Sequence, residues 1–107
     1  MGDIKRMTPE MAVSIIDGGG ILHLDVRNRE EYAAVHIAGT VNVPVGELEY
    51  RLDACKDFRN RPILVSCLSG GRSMRAAQFL SASGFTDVAN LDGGIAAWNA
   101  LRLPVDR

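Results

Sequence analysis

The chain has 107 residues, with 12 Lys and Arg against 13 Asp and Glu, for a formal charge of −1. That length suits one domain spanning residues 1–107, able to bury roughly two-thirds of its unfolded surface without disulfide staples. Hydrophobic residues at 47% and charged ones at 23% argue against disorder, and the near-neutral charge argues against a nucleic-acid partner. No apolar run approaches the ~20 residues needed to cross a bilayer, so no membrane is expected. The opening stretch, residues 1–10, has no apolar signal core, so nothing marks this form for export and a cytoplasmic location is expected. Cys55 and Cys67 are too few for a disulfide scaffold, and neither lies in a zinc-binding pattern. With only His23 and His36 besides, no protein metal site is expected, and the cysteines read as two independent thiols.

In chain order, Thr8-Pro9-Glu10 reads as a helix start, with Thr8 as N-cap and Pro9 at the first helical position. Met11, Ala12, Ile15 and Ile16 are expected to share its apolar face, and Gly18 to Gly20 to end it. Ile21 to Val26 reads as a buried strand interrupted by His23. Asn28 and Glu31 have the spacing of a capping box, with Tyr32 and Val35 directed at the core. Val41 to Pro44 fits a brief strand, since Pro44 prevents a central one. Leu48, Leu52 and Cys55 recur at helical spacing before a turn at residues 60–62. Ile63-Leu64-Val65 is a second buried strand, and residues 73–83 a helix with Ala76, Ala77 and Leu80 inward and Gly84 just past its end. Val88 to Leu91 makes a last strand, and Ile95, Trp98 and Leu101 stripe a closing helix. This alternation predicts an α/β fold of three layers, α/β/α, around a mainly parallel sheet of about five strands.

Parallel sheets bind ligands beyond the carboxyl ends of their strands. Asp25-Val26-Arg27 follows one buried strand and residues 67–73 (Cys67, Leu68, Ser69, Gly70, Gly71, Arg72, Ser73) follow the next, so both loops open on one edge. The second loop runs from a strand into a helix N-terminus, where free amides and the helix dipole favour an anion. A thiol there ionises more readily, and thiolate is the nucleophilic form. Gly70 and Gly71 let successive amides turn inward, and Arg72 adds a permanent cation. Such a loop suits a nucleophilic cysteine that accepts a group from an anion.

These residues resemble the rhodanese-like sulfurtransferases. Leu24 to Arg27, followed by Glu31-Tyr32 and by His36-Ile37, Gly39 and Val41 to Pro44, is similar to the family's first signature. Residues 67–73 are similar to its active-site loop, and Leu91, Gly93, Gly94 and Trp98 to its closing motif. Val35 departs from the pattern, standing where the family commonly has Gly. The resemblance implies a rhodanese-like fold and a sulfurtransferase in which Cys67 takes the outer sulfur of a donor such as thiosulfate as a persulfide. A thiophile, cyanide or a thiol, would then remove it. It implies no cofactor. The partners it implies are a small anionic sulfur donor and a thiol or cyanide acceptor, and a sulfur-carrier protein or cysteine desulfurase is compatible.

Among the supporting residues, Asp25 is expected to brace the Cys67 loop by accepting its amides, and Arg27 to pair with Glu31. His36 reads as structural, Cys55 and Trp98 as core. Two other readings remain. A phosphatase or arsenate reductase of similar fold carries five residues between its Cys and Arg, whereas only Leu68 to Gly71 intervene here. A non-catalytic, partner-binding module usually lacks the cysteine or the loop glycines, and both are intact.

Overall fold

A computed structural model describes residues 4–107. Its elements are β1 (Lys5–Met7), α1 (Pro9–Gly18), β2 (Leu22–Asp25), α2 (Arg29–Ala34), β3 (His36–Ile37) and β4 (Val41–Asn42), then two 3-10 helices (Val45–Tyr50 and Leu52–Phe58). These are followed by β5 (Ile63–Ser66), α3 (Gly71–Ala82), β6 (Val88–Leu91), α4 (Gly94–Ala100) and β7 (Val105–Asp106). Five strands form one parallel sheet in the order β1-β6-β5-β2-β4, and β3 pairs antiparallel with β7 apart from it. Among the described residues no helix is long and apolar enough to cross a membrane.

The pleat of β5 explains the layering. Its successive side chains enter opposite faces. Ile63 and Val65 join Ala76, Ala77 and Leu80 of α3 and the 3-10 residues Leu48 and Cys55 on one side. Leu64 joins Ala12 of α1 and Ile95 and Trp98 of α4 on the other. All four residues of β5 and of β6 are buried, as a sheet covered on both faces requires. The two strands whose ends carry the candidate loops, β2 and β5, are neighbours, with Asp25 in register with Ser66.

The local signals act largely as expected. Thr8 accepts from the Met11 amide, and Asn28 and Glu31 form the reciprocal capping box. Gly84 follows the C-cap of α3 with φ +96°. Some expectations need correcting. The buried face of α1 is Pro9 and Ala12, with Val13 and Ile16 packed beside them, while Met11 is 52% exposed. Positions 9, 12, 13 and 16 are the i, i+3, i+4, i+7 set, so residues 11 and 15 fall off its flank. Leu101 ends α4 as its C-cap and is exposed, and Leu103 packs in its place. Strand β1 has no apolar pattern to announce it, because among the described residues Lys5-Arg6-Met7 is an edge strand bordered only by β6.

Leu64 lies fully buried at the centre of the sheet. Leu64→Ala is expected to destabilise the fold by about 2–5 kcal/mol through lost burial and a residual cavity. Urea denaturation measures it; a loss well under 1 kcal/mol would contradict this account of the core.

Candidate active site

Cys67 is the first residue after β5, and α3 begins four residues later. The helix starts two residues earlier than its apolar pattern suggests, so Gly71, Arg72 and Ser73 all lie in its first turn. Gly70 is its N-cap, with φ +118°, a backbone state that favours glycine. That turn directs the Gly70 amide at the Cys67 sulfur, with N to Sγ at 3.0 Å. The hydroxyl of Ser73 lies 3.4 Å from the same sulfur. Cys67 is 2% exposed, while Leu68 beside it is half exposed. Burial pushes the thiol up. The Ser73 hydroxyl and the amides of Ser73, Gly70 and Ser69 outweigh it, and the net effect holds Cys67 below the ordinary thiol range. Cys55 shows the contrast: it has burial without such donors, and its thiol is pushed up.

The loop is gripped from its far side by α4. The Ile95 amide donates to the Cys67 carbonyl at 2.9 Å, and the Ala96 amide to that of Leu68 at 3.0 Å. A Cβ on Gly94 would collide with those two carbonyl oxygens. Gly93 and Gly94, both at positive φ, therefore let a helix start press against the loop backbone. Asn90 of β6 reaches the loop from below, contacting Ser73 and Gly70. Sequence reasoning did not single out Asn90; the signal was one amide in a strand otherwise wholly apolar.

Asp25 and Arg27 are placed differently from expectation. Asp25 does not brace the Cys67 loop. It accepts from the Arg27 backbone amide at 3.0 Å and from the Arg27 guanidinium at 2.8–3.0 Å. Both are buried, and Arg27 also donates to the Val35 carbonyl at 2.7 Å. A buried guanidinium needs a carboxylate close by, and the i, i+2 turn supplies one before Glu31 can. Asn42 ties the same loop by donating to the carbonyls of Asp25 and Arg27, each at 3.0 Å. The pair shapes the neighbouring loop and leaves the sulfur to other groups.

Glu31 is taken instead by Arg72, in a two-pronged contact at 2.7 and 3.0 Å. The Arg72 guanidinium, helped by the Asn28 amide, holds the Glu31 carboxyl down at about 2. Arg72 thus carries a carboxylate already bound to it, and the two strand-end loops are tied together.

The histidines are structural. His36 stacks on Tyr32 with ring centroids 3.8 Å apart, its Nδ1 at 2.8 Å from the Tyr32 carbonyl. His23 is buried with Nε2 at 3.0 Å from the Ser66 hydroxyl, and burial lowers it to about 4, leaving it neutral. Among the described residues no group of three His, Cys, Asp or Glu side chains is arranged to hold a metal.

Fold and site together define a parallel α/β domain with a cysteine seated at a helix N-terminus. The rhodanese-like domain family model matches residues 8–101, and the chain belongs to that family. It is 35% identical over 101 residues to the thiosulfate sulfurtransferase GlpE of Pseudomonas fluorescens strain SBW25, covering 92% of this chain and 87% of the relative. A rhodanese-related protein of Thermoplasma volcanium superposes with a TM-score of 0.85 at 28% identity, over 95% of this chain and 97% of that one. A thiosulfate sulfurtransferase of Pseudomonas aeruginosa does so with a TM-score of 0.86 at 30% identity, over 97% of this chain but 20% of its own longer chain.

The Glu31–Arg72 tie gives a signed pH dependence. Glu31 is depressed in the folded protein, so its contribution is complete above about 4.5 and is lost as pH falls through about 2. Glu31→Gln is expected to cost on the order of 1 kcal/mol at neutral pH, a deficit that closes as pH falls from 4.5 towards 2. Paired urea titrations across that range measure it; a deficit independent of pH would contradict the ion-pair reading.

Proposed function

We propose that this protein is a sulfurtransferase in which Cys67 carries the sulfur. The observation that carries the reading is the Cys67 sulfur receiving the Gly70 amide at 3.0 Å, at the open start of a twelve-residue helix. In the first half-reaction the Cys67 thiolate attacks the outer sulfur of a donor such as thiosulfate. A bond forms between the two sulfurs, the donor's own S–S bond breaks, and sulfite leaves with the electron pair. In the second, cyanide or a thiol attacks the terminal sulfur of the persulfide, and its bonding pair returns to Cys67 as thiolate.

The residues support each stage. The amides of Ser69, Gly70 and Ser73, at and just before the first turn of α3, are directed at the sulfur where negative charge accumulates. Because Cys67 is almost covered, a donor has to present a small terminal atom, which a sulfane sulfur is. With Arg72 held by Glu31, the loop's backbone amides and the Ser73 hydroxyl hold the donor's anionic end in this reading. Sulfur itself carries the chemistry, so the reading calls for no cofactor. The curated relative's own activity, thiosulfate sulfurtransferase, points the same way. A carrier protein or desulfurase as physiological partner fits the same two half-reactions.

A phosphatase or arsenate reductase needs a loop that wraps a tetrahedral oxyanion. Here four residues separate Cys67 from Arg72, and Arg72 is turned towards Glu31. A purely partner-binding module would leave a lowered thiol without use.

Cys67→Ala is expected to abolish sulfur transfer from thiosulfate to cyanide, with at least a hundredfold loss, while urea stability stays near that of the parent. Retained transfer in the folded variant, or Cys67-dependent turnover of an aryl phosphate in the parent, would overturn the proposal.

A further inference from the structure

Strand β6 reads Val-Ala-Asn-Leu and is buried throughout; Asn90 is 4% exposed. An amide there costs free energy unless it is hydrogen-bonded, and an apolar side chain of similar size would serve the sheet better. Asn90 pairs in register with Val65, two residues before Cys67, and its side chain leaves the sheet on the α3 side. Its Oδ1 lies 2.5 Å from the Ser73 hydroxyl, and its Nδ2 lies 3.5 Å from the Gly70 carbonyl. Ser73 is itself fully buried.

A serine hydroxyl has one proton to give. That of Ser73 faces three acceptors: Asn90 Oδ1, the Gly70 carbonyl at 3.1 Å and the Cys67 sulfur at 3.4 Å. The Asn90 carbonyl is the nearest of the three and draws that proton, so the hydroxyl serves the sulfur less fully than the loop amides do. Without that carbonyl, the hydroxyl proton is free to turn to the sulfur. We infer that Asn90 is a positioning residue for Cys67, acting through Ser73: its amide assigns the hydroxyl proton, and so tunes how readily the thiolate forms and persists. The inference rests on Cys67 being the reactive thiol of the proposed function, and it adds the group that controls it. The charged groups around the loop are the pairs Arg72–Glu31, Asp25–Arg27 and Arg6–Asp92, and none is altered by changing Asn90 to an apolar residue.

The test reads thiol ionisation and not sulfur transfer, so it stays decisive even if the chain moves no sulfur from thiosulfate. The rate of Cys67 alkylation by iodoacetamide is followed against pH, by peptide mass, in the full chain and in Asn90→Leu, Ser73→Ala and the double variant. Asn90→Leu removes the competing acceptor and is expected to lower the midpoint by about half a unit to one unit, or roughly three- to tenfold faster alkylation below it. In the Ser73→Ala background the same change is expected to add nothing, since the route through Ser73 is already cut. Asn90→Asp keeps the size and still accepts the Ser73 proton, and its negative charge near the sulfur is expected to raise the midpoint instead. An unchanged or raised midpoint in Asn90→Leu, an unchanged one in Asn90→Asp, or an undiminished Asn90→Leu shift without Ser73, would overturn the inference.

Discussion

The left-handed turn at Gly70 is the constraint on which the site depends. Between the last residue of β5 and the first turn of α3 the chain has only Cys67 to Gly70 in which to reverse. It does so by setting Gly70 at φ +118°, which points that amide back at the Cys67 sulfur. A side chain at this position would strain the backbone, and the amide would no longer converge on the sulfur. Without that convergence, burial weighs more heavily on the thiol. Cys55 shows the outcome, a small buried residue with its thiol pushed up.

The rest of the domain holds this turn from three sides. The start of α4 donates two amides to the loop's carbonyls, an approach allowed by the absence of a side chain at Gly94. From the sheet, Asn90 reaches up to Ser73 and Gly70. Across the strand edge, Arg72 grips Glu31, which is itself fixed in the capping box of α2. The neighbouring loop stays rigid because Asp25 and Arg27 form a buried pair closed by Val35 and Asn42. Such a pair contributes little net stability against an apolar replacement, but removing one member leaves a buried charge alone. Its effect is to fix the shape of the edge against which the Cys67 loop lies.

Features carried by local rules were legible in the sequence. The capping box at Asn28 and Glu31, the buried runs at β2, β5 and β6, and the strand–cysteine–glycine–helix order around Cys67 all follow from short-range patterns. Partner choice among charges was not. Arg27 has Asp25 two residues before it and Glu31 four residues on, and sequence spacing favours the helical pair; burial of Arg27 beside Asp25 decides otherwise. Arg72 meets Glu31 across 41 residues, which only the adjacency of β2 and β5 brings about. The closing glycines were recognisable as a motif, yet their use, letting one helix start touch a distant loop, depends on tertiary contact. Asn90 was hidden for the same reason, since a polar residue in a buried strand gains its meaning from what lies above the sheet.

Cys67 as carrier of a transferable sulfur is the central claim, and the intact mass of the protein after incubation with thiosulfate tests it most directly. The account requires a gain of one sulfur atom, absent in a Cys67→Ser protein and reversed by cyanide or a reductant. An unchanged mass, or a sulfur gained equally by the Cys67→Ser protein, would contradict it.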